Sequence, residues 1–465
     1  MSVNSPPLGV TQSGRFELRG PALEARTRAP LSRIGLVGLA GMLVTGLLVS
    51  ISAASTDKLL PQTLWSGAPF GLAGSFGHTG IDLGSAGLTV TIGLMIVSYV
   101  VTVGAARRLS PVLVLGSIAA LYALILLAPP LASTDIFSYQ FYGRIGRLYG
   151  FNPYLAGPKA LAGDSLYPLI GSKWIGTPTV YGPVFTGLSY LLAPLTIAAS
   201  VFAYKAIAAV SSLAIVALVW NGARLRGVEQ TRAVALVGLN PLIVVYGVGG
   251  GHNDLLMLAP MVAGIVLLLQ RRARLGAGSI VLGAAVKVTA GLILPFALAD
   301  ARGRMAGARR RDILIGAGVT AALLAVFAFA LFGTGPLHLP ATIENVQSKG
   351  NWQSIPGFIG ARLGFGSIGQ PAALVLAAGF AGAVCWLVWR VWRGELDWIA
   401  ASGWAAVALL VTAASLLPWY VAWLMPLAAL GRDRRLWQVS IVLTIVIGCF
   451  QLLTYIPHAS SLPGL

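Results

Sequence analysis

Long apolar runs separated by short basic clusters constrain the fold of this chain more than any other feature. A helix needs about 20 apolar residues to cross a bilayer core of about 30 Å. Only 10% of the residues are charged and 57% are hydrophobic, whereas soluble domains carry about 25% charged residues. The sequence therefore predicts an all-α polytopic membrane protein. The candidate spans are 33–54, 86–104, 111–131, 200–222, 232–249, 254–270, 312–333, 371–392, 398–416 and 436–457.

The basic clusters predict which ends of the spans face the cytoplasm. The formal net charge is +18, and the basic residues gather between apolar runs, as the positive-inside rule expects of cytoplasmic loops. They form no basic stripe with stacking aromatics, which argues against nucleic acid as a partner. The clusters placed in the cytoplasm are Arg107-Arg108, Arg224 with Arg226, Arg271-Arg272 with Arg274, Arg302 to Arg311, Arg390 with Arg393, and Arg432 with Arg434-Arg435.

Simple alternation of full spans fails in three segments, which are therefore predicted to contain short helices. Between Arg274 and Arg302 there is apolar sequence for only one span, yet both flanks are basic, so a hairpin with its apex near Lys287 is expected. The last basic cluster requires a similar turn near Pro418, because proline breaks helices. Residues 183–199 are interpreted as a juxtamembrane or re-entrant helix. Counting the short helices, the chain is expected to have about 13 transmembrane helices.

This threading divides the chain into a tail and one membrane domain. Residues 1–32 are polar and contain proline, glycine and arginine, so they are expected to be a disordered cytoplasmic tail. Residues 33–465 form a single multi-pass domain in the plasma (inner) membrane. Its two large outer loops are 132–182 and 335–370, and the first is expected to be the catalytic loop. The active site is accordingly expected on the extracytoplasmic face.

Asp135, directly after the span 111–131, is the principal candidate for catalysis. A carboxylate at the mouth of a membrane helix can act as a general base if its surroundings raise its pKa. The alternative is a structural one, because Ser133, Thr134 and Asp135 are all favourable helix N-caps. The residues alone favour the two interpretations equally.

A second candidate is the polar turn that ends at Asp254. Gly250 and Gly251, which let a backbone approach a ligand closely, precede His252, Asn253 and Asp254. Ionisable residues at a membrane edge are functional candidates by default, although a turn with an aspartate helix cap remains the alternative. Together with Asp135, this turn is also a weak pattern for a metal site.

Three cations are candidates for binding a lipid phosphate. Lys287 stands alone in the apolar stretch 280–298, where its ammonium group would neutralise a phosphate. Arg144 and Arg147 lie one turn apart on the predicted helix after Asp135 and suit bidentate phosphate binding. The alternatives are a lysine that snorkels to the interface and arginines that anchor to headgroups.

Aromatic residues on the predicted outer face are candidates for sugar binding. Sugars stack on such rings, but Trp and Tyr also mark any membrane interface. No nucleotide-binding G-x-G-x-x-G or P-loop motif occurs, which disfavours a nucleotide-sugar donor. These aromatics are Tyr139, Tyr142, Tyr154, Trp174, Tyr181, Trp352, Trp419 and Tyr420.

The order of short motifs between about residues 85 and 430 carries a family resemblance. The chain resembles the membrane-embedded C-type glycosyltransferases, and most closely the actinobacterial polyprenol-phosphate-mannose-dependent α-(1→6)-mannosyltransferases. The looser matches are Lys287 and Pro418-Trp419-Tyr420. The motifs are Ala128-Pro129-Pro130, Thr134 to Tyr139, Gly150-Phe151-Asn152-Pro153-Tyr154, Gly157-Pro158, Thr177-Pro178, Tyr181-Gly182-Pro183, Asn240-Pro241 and His252-Asn253-Asp254.

The resemblance implies an integral membrane mannosyltransferase with a GT-C-like fold. It would move mannose from a polyprenyl-phosphate donor to a hydroxyl of a mannan or lipoglycan acceptor, as an α-(1→6) linkage with inversion. Asp135 would be the base, and Lys287 with Arg144 or Arg147 would bind the phosphate. No cofactor is required, and a divalent metal is left open. The residues expected to hold sugar or acceptor are Tyr139, Tyr142, Asn152, Tyr154, Tyr181, His252, Asn253, Asp254, Trp419 and Tyr420.

Two other functions remain as alternatives. One is a glycosyltransferase that uses another polyprenyl-phosphate sugar, and the other is a transporter or flippase of lipid-linked sugar. Transporters combine broken helices with internal repeats, and the sequence shows the former without the latter. No large soluble C-terminal domain is expected from the sequence, which argues against the arabinosyltransferase branch.

Overall fold

A computed structural model of the protein shows helices and loops, and no strand among the residues that it describes. Most of the predicted tail, Trp352 and part of the second outer loop lie outside that described part. The described residues are 32–53, 71–72, 74–76, 79, 81–301, 306–347, 354–363 and 369–453.

Seventeen α-helices lie within the described residues. Short 3₁₀-helices connect several of them, and a seven-residue π-helix, Leu242–Val248, follows the seventh. The α-helices are α1 Arg33–Ser52, α2 Gly84–Ala105, α3 Pro111–Leu127, α4 Asp135–Arg147, α5 Pro183–Leu192, α6 Ile197–Arg226, α7 Gln230–Gly238, α8 Asn253–Leu269, α9 Ala273–Ala284, α10 Leu294–Ala299, α11 Ala306–Phe332, α12 Leu339–Gln347, α13 Ile355–Arg362, α14 Gln370–Arg393, α15 Trp398–Thr412, α16 Met425–Leu430 and α17 Arg434–Leu453.

The predicted number of about 13 transmembrane helices is not confirmed. In the described part of the chain, six helices are long and apolar enough to cross a membrane, namely α1, α2, α6, α11, α14 and α17. The count becomes seven if α7 and the π-helix, which are bent by 48° to each other, form one span. The other apolar helices have only 10–17 residues, which is shorter than a bilayer requires.

Proline and asparagine explain where two of these helices stop. The helix α3 ends before Pro129-Pro130, because a residue preceding proline is driven to extended backbone, and Ala128 has φ −75° and ψ 161°. The bend after α7 lies at Asn240-Pro241. There the Asn240 side-chain oxygen accepts hydrogen bonds from the backbone N–H groups of Leu242 at 3.0 Å and Ile243 at 3.4 Å. The asparagine thus caps the π-helix.

Two short-helix hairpins lie where the sequence predicts turns. Lys287 has extended backbone between α9 and the 3₁₀-helix Val288–Ile293 that leads into α10. Pro418 opens the 3₁₀-helix Pro418–Trp423, which continues into α16. The predicted short helix of 183–199 is α5, and the long helix after it begins at Ile197 rather than at residue 200.

The helices run between two ends of the molecule that differ in chemistry. The helix α3 starts beside the basic turn Ala106–Arg108 and leads to Asp135, whereas α8 runs the opposite way, from His252 to the basic turn at Arg271. Arg226, at the end of α6, bonds the Leu430 carbonyl at the end of α16. We call these the Asp135 end, with Asp135, His252, Lys287 and Trp419, and the arginine end, with Arg107, Arg226, Arg271 and Arg432.

A buried lysine fixes the turn that precedes Asp135. Lys205, on α6, is only 1% exposed, and its ammonium group donates hydrogen bonds to the carbonyls of Ala128 and Pro129, the latter at 2.9 Å. The helix α3 ends at Leu127, so the carbonyls of Ala128 and Pro129 have no helical N–H donor. Lys205 therefore supplies donors that the helix cannot.

Replacing Lys205 with Met is expected to lower the thermal stability of the purified protein. Each buried carbonyl left without a hydrogen-bond donor costs about 1–3 kcal/mol of stability. The substitution removes the donor of two carbonyls, those of Ala128 and Pro129. The measurement is the melting temperature in detergent, with Lys159→Met as the control because Lys159 is exposed. An unchanged melting temperature in Lys205→Met would show that the lysine does not hold the turn.

Candidate functional site

The turn between the π-helix and α8 brings His252 next to Asp135. Gly249 accepts a hydrogen bond from the Leu131 N–H group at 3.0 Å, which joins this turn to the chain just before Asp135. Gly251 has φ +63°, in the left-handed region that favours glycine. A Cβ atom at Gly251 would lie 2.7 Å from Cδ1 of Ile136. Only glycine therefore allows the backbone to approach α4 this closely.

Asp135 faces a histidine and a tyrosine. Its Oδ2 lies 3.7 Å from Nδ1 of His252, and that nitrogen lies 3.2 Å from the Tyr139 hydroxyl. Asp135 is the first residue of α4, and the N-cap is Thr134, which makes no side-chain cap bond. The carboxylate of Asp135 is thus not the N-cap that the sequence allowed, and it is directed to a polar cluster.

The environment of Asp135 suits a general base. Burial raises the pKa of its carboxyl to about 6; the Lys287 ammonium group lowers the pKa, and the Asp254 carboxylate raises it. Although protein surrounds it, the side chain keeps 21% of its area exposed, so a substrate hydroxyl can reach it. A base is most effective when its pKa lies near the working pH.

Activity is expected to depend on the ionisation of Asp135. The base must be deprotonated, and its raised pKa means that the active form is lost as the pH falls through about 6. The profile of kcat/KM, which reports the free enzyme, should be flat above that pH and fall about tenfold for each unit below it. An inflection near the ordinary aspartate pKa of about 4 would contradict the environment seen here.

A buried ion pair lies beside this cluster. Nζ of Lys287 is 2.7 Å from Oδ1 of Asp254, and the indole nitrogen of Trp423 donates to the same oxygen at 2.6 Å. The Asp254 side chain is 1% exposed, whereas Lys287 keeps 16%. The lysine therefore reaches the surface of the site while its carboxylate partner lies beneath it.

Three aromatic rings from the turn at Pro418 form one wall of the site. Trp419 stacks on the His252 imidazole with ring centroids 3.4 Å apart, and Tyr420 stacks on Trp423 at 4.2 Å. Nζ of Lys287 lies over the Tyr420 ring at 4.7 Å and over the Trp423 ring at 5.1 Å. These cation–π contacts hold the ammonium group of Lys287 on the side of the ion pair that is exposed to the site.

Several polar atoms in this site are buried without a hydrogen-bond partner among the described residues. They are Nε2 of His252, Nδ2 and Oδ1 of Asn253, and Oδ2 of Asp254. Buried polar groups in native proteins are nearly always satisfied. Consecutive unsatisfied groups behind an open carboxylate therefore indicate a buried polar layer that ordered water completes.

Comparison with protein families identifies the chain. Residues 32–302 match the family model described as the N-terminal domain of α-(1→6)-mannopyranosyltransferase, which is more than half of the sequence. The chain belongs to this family. Residues 354–462 also match the model of the MptB C-terminal domain. As a family member the protein is a glycosyltransferase of the mannosyltransferase class, and its site uses both matched regions, with Asp135 in the first and Trp419 in the second.

Individual relatives agree with this assignment. The chain is 28% identical to α-(1→6)-mannopyranosyltransferase A of Mycobacterium tuberculosis over 87% of its own length and 81% of the relative. It is 28% identical to another α-(1→6)-mannopyranosyltransferase of that organism, with 70% and 67% covered. It is 29% identical to α-(1→6)-mannopyranosyltransferase B of Corynebacterium glutamicum, with 68% and 58% covered. No solved structure gives a significant match.

The tyrosines expected to bind sugar divide into two groups in this mannosyltransferase. Tyr139, Tyr142 and Tyr154 are 1%, 4% and 2% exposed, so their ring faces are packed against protein. Tyr142 donates to the Thr177 carbonyl at 2.9 Å, and Tyr154 donates to the Tyr181 carbonyl at 3.0 Å. These three form the wall behind the site. Half-buried Tyr181 and Tyr420 retain surface for a ligand.

The Asn152 side chain, like those of Tyr142 and Tyr154, forms hydrogen bonds with the backbone. Its amide nitrogen donates to the Phe332 carbonyl at 2.7 Å, and its oxygen accepts from the Tyr154 N–H group at 3.0 Å. The side chain thus ties the first outer loop to the end of α11. This geometry gives Asn152 a structural role, and its contact with sugar stays a prediction.

The structure does not bring the two predicted arginines to Lys287. Arg144 donates to Asp164 from Nε at 3.0 Å and from Nη2 at 2.8 Å, and Tyr149 donates to the same carboxylate. Burial would raise the pKa of Asp164, but the hydrogen bonds from Tyr149, the Leu166 backbone and Arg144 outweigh it and hold the pKa below its usual value. The guanidinium group of Arg144 is therefore bound by Asp164 within the loop. Arg147 is exposed at the end of α4.

Sequence reasoning missed two residues that shape the site. Trp423 bonds Asp254, and its signal was its spacing of three residues from Tyr420, which places both rings on one face of a 3₁₀-helix. Lys205 was a single charge in the long apolar helix α6. Both signals were readable only after the helix type and the helix bounds were known.

The suggested metal ligands Asp135, His252 and Asp254 take part in two separate sets of contacts. Oδ1 of Asp254 is bound by Lys287 and Trp423, whereas Asp135 lies beside the imidazole of His252. Within the described residues, no three His, Cys, Asp or Glu side chains come together as a candidate metal site. A metal requirement therefore stays an open prediction, which addition of EDTA to a transfer assay tests.

Proposed function

We propose that the protein transfers mannose from a polyprenyl-phosphate donor to a hydroxyl of a mannan or lipoglycan acceptor, forming an α-(1→6) linkage with inversion. The observation that carries this proposal is the pairing of an open carboxylate, Asp135, with a partly exposed ammonium group, Lys287, in one aromatic site. Glycosyl transfer from a lipid phosphate needs both groups, a base for the acceptor and a cation for the leaving phosphate.

The proposed step conserves atoms and charge within this site. The acceptor oxygen attacks C1 of mannose and forms the new C–O bond while the bond between C1 and the phosphate oxygen breaks. Asp135 takes the acceptor proton, and the polyprenyl phosphate leaves with the bonding electrons. Its growing negative charge is stabilised by Lys287, since preorganised positive groups act most strongly where charge develops in the transition state. Attack opposite to the leaving group inverts the anomeric carbon.

The unsatisfied polar atoms are buried, so they are proposed to reach the hydroxyl groups of the transferred sugar through ordered water or a small movement of the turn at His252. Asn253 offers both a donor and an acceptor, and Nε2 of His252 and Oδ2 of Asp254 complete a buried polar layer next to Asp135. Tyr181 and Tyr420 supply ring surface beside it. A sugar bound there satisfies groups that are costly to leave unpaired.

The Asp135 end is proposed to face the extracytoplasmic side of the plasma membrane. This orientation follows from the arginine end, because basic clusters favour the cytoplasm. A cysteine at Ser133, in a chain whose own cysteines are replaced, should react with a membrane-impermeant thiol reagent added outside intact cells. Reaction only after the cells are opened would contradict this orientation.

Transfer by the purified protein tests the proposed donor. Polyprenyl-phosphate mannose, polyprenyl-phosphate glucose and GDP-mannose are each supplied with a short α-mannoside, with and without EDTA, and the products are analysed by mass and linkage. We expect an α-(1→6)-extended product from polyprenyl-phosphate mannose alone. Extension from GDP-mannose would refute the lipid donor. Movement of lipid-linked sugar across vesicles without a new glycan would instead favour the flippase.

A further inference from the structure

A second cluster of charge surrounds a cavity at the arginine end of the molecule. The cavity has a volume of about 250 Å³, and two adjoining cavities of about 360 Å³ and 350 Å³ share one of its arginines, Arg107. It is formed where α7, α16 and α17 meet the turn after α2. Its cationic lining consists of Arg107, Arg232, Arg432 and Arg434.

The two carboxylates in this cavity are used by other groups. Glu229 caps α7 and accepts hydrogen bonds from backbone N–H groups, including that of Arg232 at 2.7 Å. Asp433 accepts from the Trp404 indole at 2.9 Å and from two backbone N–H groups at the start of α17. In the described part of the chain neither forms an ion pair with the four arginines, so the cavity keeps a surplus of positive charge.

Arg232 is oriented for an anion. Its guanidinium group lies 3.7 Å from the centroid of the Trp437 ring, and such stacking covers a face of the group while its N–H donors stay at the edge. Arg107 and Arg434 repel Arg232 electrostatically, and Glu229 attracts it, so one nearby carboxylate acts against two nearby cations. A bound anion would reduce the repulsion between these guanidinium groups. The planar guanidinium group of arginine also matches the geometry of two phosphate oxygens.

We infer that this cavity binds a phosphate group, at a site separate from the one at Asp135. The helix α3 separates Arg107 from the Asp135 turn by 17 residues, or about 25 Å at the usual helical rise. The phosphate of a donor bound at Lys287 therefore cannot occupy it. Phosphate at this position has two sources, the headgroup of an anionic membrane lipid and a soluble phosphate compound, and basic pockets between membrane helices bind such headgroups in other proteins.

The test compares the full-length protein with variants that remove the cations. Arg232→Gln/Arg434→Gln is the main variant, Arg107→Gln is a second one at an exposed position, and Arg435→Gln is the control because Arg435 is exposed and does not line the cavity. One arm measures retention of phosphatidylglycerol by native mass spectrometry after exchange from phosphatidylcholine nanodiscs. The other arm measures thermal stabilisation by inorganic phosphate in detergent. Gel filtration and mannosyl transfer verify that each variant is folded.

We expect the wild type and Arg435→Gln to retain phosphatidylglycerol or to be stabilised by phosphate. In both cavity variants, the affinity for phosphatidylglycerol or for inorganic phosphate should fall by about tenfold or more, as expected when charge-assisted hydrogen bonds are removed. Retention of the lipid without an effect of phosphate identifies a headgroup, and an effect of phosphate alone identifies a soluble ligand. The inference is overturned if the wild type shows neither response, or if the cavity variants behave like Arg435→Gln.

Discussion

Replacing Asp135 with Asn is expected to reduce the turnover of mannosyl transfer by roughly 10²–10⁴-fold, the usual contribution of a general base. The amide has nearly the same shape but cannot accept the acceptor proton. Donor affinity should stay close to that of the wild type, because the ion pair of Lys287 with Asp254 is left in place. The measurement is single-turnover transfer together with equilibrium donor binding.

The control for this experiment is another carboxylate that lies far from the site. Asp312 pairs with Arg274 at 2.8 Å, close to the arginine end, and is partly exposed, so Asp312→Asn should retain full activity. Full transfer by Asp135→Asn would show that another group is the base. Equal losses of donor binding and of turnover would indicate that Asp135 positions the substrate instead.

Replacing Lys287 with Met is expected to damage both stability and turnover. Removing one partner of a buried ion pair costs about 3–5 kcal/mol, because Asp254 is then left charged and only 1% exposed. Loss of the cation at the leaving phosphate should also lower kcat by about 10²–10³-fold, similar to the loss of one oxyanion-stabilising group. Melting temperature and kcat measure the two effects.

A double substitution separates these effects. In Lys287→Met/Asp254→Asn no unpaired charge is buried, so most of the lost stability should return while kcat stays low. The single variant Asp254→Asn keeps the ammonium group of Lys287. It should therefore retain more activity than Lys287→Met or the double variant. Recovery of both stability and kcat in the double variant would mean that Lys287 serves only as the partner of Asp254.

Local sequence signals predicted where the chain breaks. Basic flanks on both sides of a single apolar stretch identified the turn near Lys287, and proline identified the turn at Pro418, because its missing N–H group breaks a helix locally. The number of transmembrane helices was not predictable in this way. Whether a helix of 10–17 residues crosses a bilayer depends on what packs around it, and hydropathy does not contain that information.

The candidate site was predictable in its residue types but not in its pairings. The sequence drew attention to Asp135, His252, Asp254 and Lys287, and the fold brings them into one cluster through the close approach of Gly251 to α4. The sequence could not show that Arg144 is bound by Asp164, since the two lie 20 residues apart on a folded loop. Long-range pairings of this kind depend on tertiary structure.

The most direct test of the central claim is to locate the bound donor. Polyprenyl-phosphate mannose with a photoreactive diazirine on its sugar is bound to the purified protein, irradiated, and the labelled peptides are identified by mass spectrometry, with unlabelled donor as competitor. We predict competed labels in the segments 131–139, 250–257, 285–290 and 417–423, which form the Asp135 end. Competed labelling confined to the arginine end would contradict the account.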